Sequence, residues 1–194
     1  MMMTQQPLVL GSTSPRRREL LAQLGVEPVR IAAPDIDENP RKAEHPRAYA
    51  LRMAEEKARA IALEPGEAAL TGDTVMAAGR RILPRAADAG EVRACLTLLS
   101  GRRHRVLTAV ATIDAAGAIR SRLSESIVAF APLSPALITA YAEGGEGVGK
   151  AGGYAIQGGA GALVRWMSGS YSGIVGLPLF ETRALLVSAG VIDG

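Results

Sequence analysis

Apolar and polar residues alternate along the chain with a period that changes several times, which predicts a succession of strands and helices. Residues 7–11 form a short apolar run with the length of a buried strand. Residues 19–25 show the spacing of an amphipathic helix, and Ser14 and Pro15 suit the cap and the first turn in front of it. Residues 29–32 predict a second short strand, so this part of the chain is a strand–helix–strand unit.

The same alternation continues as far as residue 141. The predicted elements are a helix over 46–63, a strand over 68–71 that continues extended to a turn at Gly79, a helix over 92–99, two strands over 106–113 and 119–130, and a helix over 134–141. The turn residues 114–117 between the last two strands are a hairpin signal. Strand–helix–strand units combined with a hairpin predict a mixed α/β sheet.

The junction between the first strand and the first helix carries hydroxyl and guanidinium groups, from Ser12, Ser14, Arg16 and Arg17. Free backbone N–H groups, the positive end of the helix dipole and arginine side chains all favour a phosphate at such a position. The same residues also fit a well-capped helix with solvated arginines, so this pattern alone leaves both interpretations open.

Two groups of carboxylates are candidates for metal binding or proton transfer. Asp73 directly follows an apolar run, which predicts a position at the carboxyl end of a strand, where it can hold Mg²⁺ or orient a water molecule. Its alternative role is to cap a turn through Thr74. Asp35, Asp37 and Glu38 lie in a loop between prolines and offer the oxygen ligands that hard cations prefer, or simply face solvent.

Residues 144–161 contain nine glycines in eighteen positions. Glycine allows the backbone to approach a ligand closely, although such a stretch also fits a flexible loop. The embedded Tyr154 favours order, and Lys150 supplies a cation. Gln157 carries one donor and one acceptor group, which can recognise the edge of a base.

Composition excludes several classes of protein. Aromatic residues make up only 4% of the chain and no long basic run occurs, so nucleic acid is not an expected partner. The single Cys95 rules out intrachain disulfides and thiolate zinc clusters, and two histidines make a His-rich metal site or a Ser-His-Asp triad improbable. No signal peptide or membrane-spanning run is seen, so we expect a cytoplasmic protein. These residues predict a site for a phosphorylated small molecule, with Mg²⁺ as a candidate cofactor.

An ordered series of motifs from about Leu8 to Leu186 resembles the Maf family of nucleoside triphosphate pyrophosphatases. The motifs are STSPRR at 12–17, Asp37-Glu38, Glu56-Lys57-Ala58, Gly72-Asp73-Thr74, Leu99-Ser100-Gly101 with His104, KAGGYAIQG at 150–158, Gly169-Ser170-Tyr171 and VGLPL at 175–179. The resemblance implies a Maf/ITPase-like α/β fold, in which an elongated mixed sheet flanked by helices contains a central cleft. It implies a single domain over residues 1–194, with the option of two lobes around the cleft.

The resemblance also implies roles for individual residues. Asp73 is the expected proton acceptor and, with Glu38, the expected metal ligand. The residues linked to substrate choice are Arg16, Thr74 and Gln157. The expected phosphate-binding residues are Ser12, Ser14, Arg17, Lys57, Arg85 and Lys150. Three positions depart from the common family pattern, with Arg85 in place of a lysine, Gly149 in place of an aspartate and Gly72 in place of an alanine.

The reaction implied by the resemblance is hydrolysis of a nucleoside triphosphate between its α- and β-phosphates, with Mg²⁺ or Mn²⁺ as cofactor. The Ile-Gln-Gly sequence at 156–158 is similar to the branch that acts on dTTP and UTP. The family is linked to the removal of modified nucleotides and to arrest of cell division, and its members are often homodimers. Two alternatives remain at this stage: a non-enzymatic nucleotide- or nucleic-acid-binding regulator of septum formation, and a Mg²⁺-dependent phosphomonoesterase.

Overall fold

The computed structural model describes residues 6–194, which contain seven strands in one mixed sheet with helices on both faces. The strands are β1 (Leu8–Gly11), β2 (Arg30–Ile31), β3 (Ala68–Ala78), β4 (Arg81–Leu83), β5 (Arg103–Ile113), β6 (Ile119–Phe130) and β7 (Val164–Ser168). The helices are α1 (Pro15–Ala22), α2 (Pro46–Arg59), α3 (Ala89–Leu99), α4 (Pro135–Glu143), α5 (Tyr171–Val175) and α6 (Leu179–Ser188), with a 3₁₀ helix at Gly159–Leu163. Among these residues, no helix has both the length and the apolar character needed to cross a membrane.

The strand order is β2-β1-β3-β5-β6-β7, and β4 pairs with β3 outside this path. β1 and β2 run parallel to their neighbours, whereas the pairs β3–β5, β5–β6 and β6–β7 are antiparallel. Helix α2 packs its apolar side chains on one face of the sheet. On the other face, α3 and α4 cover one part of the sheet, and α1 and α6 cover another. The expected mixed sheet with helices on both sides is therefore confirmed.

Strand β3 has two different neighbours on one of its edges. β5 pairs with one edge from Ala69 to Ala77, so β1 and β4 must share the other. β1 covers residues 68–71 and β4 covers residues 76–78. Residues 72–75 of β3 thus have no strand beside them on that edge, and this gap opens into the cleft described below.

The gap also corrects the expected position of Asp73. The chain was predicted to continue extended from the strand over 68–71 to a turn at Gly79, and β3 does so as far as Ala78. Asp73 therefore lies in the middle of one strand and not at a carboxyl end. The reason is the pairing with β5, which keeps the backbone extended by placing Asp73 opposite Ala109. It is β1, not β3, that ends at this level of the sheet.

Several predicted elements are confirmed by the structure, and others need correction. The β5–β6 hairpin, α3 and α4 lie where their patterns predicted them. The helix predicted over 46–63 ends at Arg59, because Ile61 leaves the helix and packs with Val9 and Ala69. The second strand is limited to two residues.

Ser14 stands at the N-cap position of α1, as predicted, but it does not cap the helix through its side chain. The Ser14 side chain makes no capping bond to α1, and instead its backbone N–H donates to Ser12 Oγ at 3.2 Å. Pro15 occupies the first turn as expected. β4, β7, α5 and α6 were not predicted, because they are short or follow the glycine-rich stretch, where no clear period continues.

The glycine-rich stretch is a packed wall of the molecule. Its backbone bonds to the segment after β4, where Gly149 N–H donates to Ala86 O at 2.7 Å and Gly152 N–H donates to Pro84 O at 3.0 Å. Gly152 has a φ of +64°, and a Cβ there would lie 2.6 Å from the sulfur of Met76. The stretch therefore lies directly on β3, and the ordered arrangement predicted from Tyr154 is confirmed.

Tyr154 is anchored by a buried histidine. The ring of His104 packs edge to face with Phe130 and Tyr154, which also pack against each other, and its Nε2 is 2.7 Å from the Tyr154 hydroxyl. Its Nδ1 is buried without a hydrogen-bond partner among residues 6–194. Burial lowers the pKa of His104 from 6.5 to about 4, so the ring is uncharged in the folded protein at neutral pH.

The depressed pKa of His104 predicts a loss of stability in acid. Since the unfolded chain takes up the proton near pH 6.5 and the folded protein only near pH 4, the free energy of unfolding should fall as the pH drops through this window. The full difference corresponds to about 3 kcal/mol. Urea unfolding of the wild type and His104→Gln between pH 7.5 and 4 measures it, and the variant should lack this component. The exposed His45→Gln is the control, and a wild-type profile in His104→Gln would contradict the assignment.

Candidate active site

A cleft opens at the gap in β3 and consists of three adjoining hollows that share Arg85 in their walls. One hollow lies between β3, α1 and the glycine-rich wall, the second lies along the loop after β1, and the third contains Asp73. Every residue to which the sequence analysis assigned a role in the site lines at least one of them, although the candidate carboxylates Asp35 and Asp37 do not. The lining residues are Ser12, Ser14, Arg16, Arg17, Glu38, Lys57, Asp73, Thr74, Arg85, Lys150 and Gln157. The structure therefore brings the predicted residues together, while their individual roles stay predictions.

Lys57 joins the two carboxylates that were predicted as metal ligands. Its Nζ lies 2.7 Å from Asp73 Oδ1 and 2.9 Å from Glu38 Oε1. The side chains of Lys57 and Asp73 are buried, whereas Glu38 is 44% exposed. Arg85 adds a second cation, with its Nη2 3.5 Å from the same Asp73 oxygen. The buried Asp73 carboxylate thus lies beside two cationic side chains.

The charge of Lys57 also acts on Glu38. Partial burial works to raise the pKa of Glu38, but the contact with Lys57 and the nearby charges of Arg85 and Arg17 outweigh it and lower that pKa. Glu38 is therefore an anion at neutral pH. The mouth of the third hollow has one negative group at its rim and another at its floor.

Helix α2 explains how Lys57 reaches this position. Its buried face repeats at positions 49–50, 53–54 and 57–58, so Lys57 stands within the apolar stripe. Thr71 Oγ1 donates to Ala54 O at 2.7 Å and ties β3 to the helix one turn before Lys57. A lysine in that stripe is stable only with an anion opposite it, and Asp73 supplies one.

Arg17 is buried and already bound to protein atoms. Its Nε donates to Gly176 O at 2.8 Å, its Nη1 to Ser12 Oγ at 3.1 Å and its Nη2 to Thr74 Oγ1 at 3.5 Å. Burial lowers its pKa from 12.5 to about 10, so it remains charged at neutral pH. With three of its five N–H groups engaged, Arg17 fixes α1 and Thr74 in place and has two donors left for a ligand.

Arg85 and two further cations, Arg16 and Lys150, face the cleft with few protein partners. Arg16, Arg85 and Lys150 line the first two hollows together. The pKa of Lys150 is lowered by burial and by the positive charges of Arg16 and Arg85, which shows that the three act on one another. A cluster of like charges of this kind is stabilised by an anion between them. Gln157 lies exposed at the edge of the same hollow.

Some functional side chains were not predicted from the sequence. Tyr49 lines the third hollow and donates from its hydroxyl to Glu38 O at 2.7 Å, which positions the Glu38 loop. Burial and the charges of Asp73 and Glu38 raise its pKa to about 12, so it stays a donor. Thr108 Oγ1 lies 3.0 Å from Thr74 Oγ1. Both contacts connect segments distant in sequence, and no local pattern signals them.

Two of the candidate carboxylates are not part of the cleft. Asp35 and Asp37 line none of the three hollows. Asp37 instead accepts from the backbone N–H of Asn39 at 2.9 Å and from its Nδ2 at 2.7 Å, and these bonds lower its pKa. It therefore acts as a turn residue, as the solvent-facing interpretation of this loop expected.

The cleft can now be compared with known proteins. Residues 7–189 match the family model described as Maf-like protein. The chain belongs to the Maf family. In the structure of this Maf protein, residues from several of the motifs line one cleft, whereas Leu99-Ser100-Gly101 and Gly169-Ser170-Tyr171 line none of its three hollows.

Several relatives of this Maf protein are named dTTP/UTP pyrophosphatase. The one from Sphingopyxis alaskensis is 59% identical over 184 residues, which cover 95% of this chain and 97% of the relative. The one from Novosphingobium aromaticivorans is 59% identical over 185 residues, covering 95% and 92%. The one from Rhodospirillum rubrum is 54% identical over 189 residues, covering 97% and 90%.

Two solved structures show a more distant likeness. A nucleoside-triphosphatase / dITP/XTP pyrophosphatase from Mycobacterium abscessus matches 66% of this chain and 75% of its own, with a TM-score of 0.41 and 16% identity. A HAM1 protein from Coxiella burnetii matches the same shares, with a TM-score of 0.46 and 18% identity.

Removal of the Lys57 charge should destabilise this Maf protein. Lys57→Met keeps most of the side-chain length but leaves Asp73 buried with only Arg85 near it, so the free energy of unfolding should fall by about 3 kcal/mol. Urea unfolding at pH 7 measures the change. Arg59→Met, which breaks an exposed pair with Glu55 on the same helix, should cost about 0.5 kcal/mol or less.

A second variant separates charge from packing. Asp73→Asn added to Lys57→Met removes the uncompensated carboxylate and should recover part of the lost stability. No recovery, or equal losses in Lys57→Met and Arg59→Met, would show that the buried pair does not carry this stability.

Proposed function

We propose that this Maf protein hydrolyses nucleoside triphosphates to the monophosphate and pyrophosphate, with dTTP and UTP as preferred substrates. The observation that carries the proposal is a buried Asp73 carboxylate, paired with Lys57, on the floor of a cleft whose other walls carry cationic side chains. A site that only bound phosphate would gain nothing from a carboxylate beside its ligand. The names of the relatives, which share more than half of the residues, support the same reaction and the same bases.

In the proposed step, a water molecule attacks the α-phosphorus while Asp73 accepts its proton. A bond forms between the water oxygen and the α-phosphorus, and the bond from that phosphorus to the oxygen bridging to the β-phosphate breaks. Negative charge develops on the leaving pyrophosphate, where Arg16, Lys57 and Arg85 stabilise it. The proton held by Asp73 passes to solvent after the products separate.

Base selection is assigned to the first hollow, where Arg16, Thr74 and Gln157 meet. The amide of Gln157 can offer a donor and an acceptor to the imide edge that uracil and thymine share. A site built to hydrogen-bond one edge rejects a base that would leave its groups unpaired. The apolar Met76 and Ile174 in the same hollow provide contact area for a planar ring.

A divalent cation is part of this proposal, with Asp73 and Glu38 as its protein ligands. Lys57 and Arg85 contact Oδ1 of Asp73, and Lys57 contacts Oε1 of Glu38, while the second oxygen of each carboxylate has no hydrogen-bond partner among residues 6–194. No group of three His, Cys, Asp or Glu side chains in that range could hold a metal by itself. Two carboxylates fit Mg²⁺ or Mn²⁺ that arrives with the triphosphate, since Mg²⁺ commonly uses one or two carboxylates together with substrate phosphates.

When bound, the cation would neutralise charge on the triphosphate.

Three other expectations from the sequence stay predictions: a cytoplasmic location, a homodimer and the absence of a nucleic-acid partner. The same is true of a cellular role in removing modified nucleotides or in arresting division.

Product analysis tests the proposed reaction. With Mg²⁺ or Mn²⁺, we expect a panel of canonical and modified triphosphates to yield monophosphate and pyrophosphate, with dTTP and UTP fastest. Chelation should abolish turnover, and either cation should restore it. Release of orthophosphate would favour a phosphomonoesterase, tight binding without turnover would favour a binding protein, and full activity after chelation would contradict the metal.

Asp73→Asn tests the assigned proton acceptor. The substitution removes the charge but keeps the size, and the fold should survive because Lys57 retains Glu38 as a partner. Turnover of dTTP should fall by at least about 10²-fold, the usual scale for loss of a general base. Asp35→Asn makes the same chemical change outside the cleft and should keep full activity. Activity near the wild-type value in a folded Asp73→Asn protein would refute the assignment.

A further inference from the structure

The backbone on both sides of Gln157 is held by two side chains that contact each other. Ala155 N–H donates to the Tyr141 hydroxyl at 3.3 Å, and Gly159 N–H donates to Glu146 Oε2 at 2.8 Å. The Tyr141 hydroxyl in turn donates to Glu146 Oε1 at 2.7 Å. Gln157 thus stands in a short span whose two ends bond to a single Tyr–Glu pair.

The Glu146 carboxylate fits tightly against this span. A Cβ on Gly158 would collide with the carboxylate, so the backbone next to Gln157 lies directly on it. Ala160 N–H points to the same carboxylate, with 3.5 Å between its nitrogen and Oε1. These amides begin the 3₁₀ helix, where backbone N–H groups lack partners within the helix and accept an anionic cap.

The protonation states of the pair suit these bonds. The Gly159 N–H bond lowers the pKa of the exposed Glu146, so the carboxylate is ionised and accepts. Burial and the bond to Glu146 raise the pKa of Tyr141 well above its usual value, so its hydroxyl keeps the proton that it donates. The two side chains therefore keep these protonation states, and the bond between them, over the pH range in which most enzymes work.

Gln157 itself has little else to hold it. Gln157 is exposed, and its side chain has no hydrogen-bond partner within residues 6–194. The direction of its amide depends on where its backbone is placed. We propose that Tyr141 and Glu146 are positioning residues for base selection, which fix the Ala155–Gly159 span so that Gln157 presents one amide orientation to the base. This inference rests on the proposed function, in which Gln157 recognises uracil and thymine.

The need for one orientation follows from the chemistry of the amide. Uracil presents an N–H donor where cytosine presents an acceptor, and a carbonyl where cytosine presents an amino group. A glutamine that can turn over offers the reverse pattern and accepts either base, because its amide is a donor on one side and an acceptor on the other. A fixed span removes that freedom, so the pair should act on the ratio between UTP and CTP more than on the rate with UTP.

The experiment compares UTP and CTP in Tyr141→Phe, Glu146→Gln and the double variant. Phenylalanine keeps the ring and loses the hydroxyl. Glutamine removes the charge of Glu146 and leaves one acceptor oxygen where Gly159 N–H and the Tyr141 hydroxyl now have one each. We expect the UTP-to-CTP ratio of kcat/KM to fall about fivefold or more in each single variant, as for loss of a recognition bond. The ratio should fall no further in the double variant than in the more strongly affected single variant, since the pair acts as a unit.

Two further variants serve as the positive and the negative control of this experiment. Gln157→Ala should lower the same ratio by at least as much, because it removes the recognising group itself. Glu143→Gln removes a carboxylate from α4 that has no hydrogen-bond or ion-pair partner among the described residues, and it should leave the ratio and the rate unchanged. Thermal unfolding of all variants shows whether any lost ratio accompanies a general loss of stability.

Measurements without turnover keep the inference separate from the proposed reaction. Residue-resolved amide exchange should accelerate at Gly159 in Glu146→Gln and at Ala155 in Tyr141→Phe, and binding of UTP and CTP should show the same loss of preference. A wild type without turnover would overturn the proposed reaction. Amide exchange and binding of UTP and CTP would still test the role of Tyr141 and Glu146. Unchanged exchange, or faster exchange with an unchanged preference, would overturn the inference, as would equal binding of UTP and CTP by the wild type.

Discussion

The gap on one edge of β3 is the constraint on which the whole site depends. β1 and β4 share that edge and do not meet, so residues 72–75 are left without a strand beside them. Backbone groups on an unpaired edge need other partners, which makes such an edge a natural place for water or a ligand. The segments that border the gap then supply the chemistry, with Ser12 and Ser14 following β1 and Arg85 following β4.

Asp73 and Thr74 are neighbours on β3, but their side chains lie on opposite faces of the sheet. Asp73 points to the face that α2 covers and meets Lys57, whereas Thr74 points to the other face and meets Arg17. Successive residues of a strand always face opposite sides of the sheet. A slip of one residue against β5 would exchange the carboxylate and the hydroxyl, so the pairing register between β3 and β5 protects the chemistry as much as the fold.

The sequence predicted more of the local structure than of the site. The β5–β6 hairpin, α3 and α4 follow from periodicity, turn residues and caps that act within a few positions. The middle position of Asp73 in β3, the burial of Lys57 and the engagement of Arg17 by Gly176 depend on partners far along the chain, which no local pattern contains. Residue chemistry alone reached a phosphate site, and the family resemblance selected the residues that the structure places in one cleft. Glu146 had no signal at all, since it looked like an ordinary charged residue between glycines.

The bridge between Arg85 and Ala151 has a consequence for how the cleft is assembled during folding. The β5–β6 hairpin, α3 and α4 all lie between these two residues, so the bridge closes a long loop. Loop closure costs chain entropy, and contacts between residues distant in sequence form more slowly than those in hairpins and helices. We therefore expect the contact that holds Arg85 beside the glycine-rich stretch to form late in folding, so that most of the sheet would be in place before the cleft is complete.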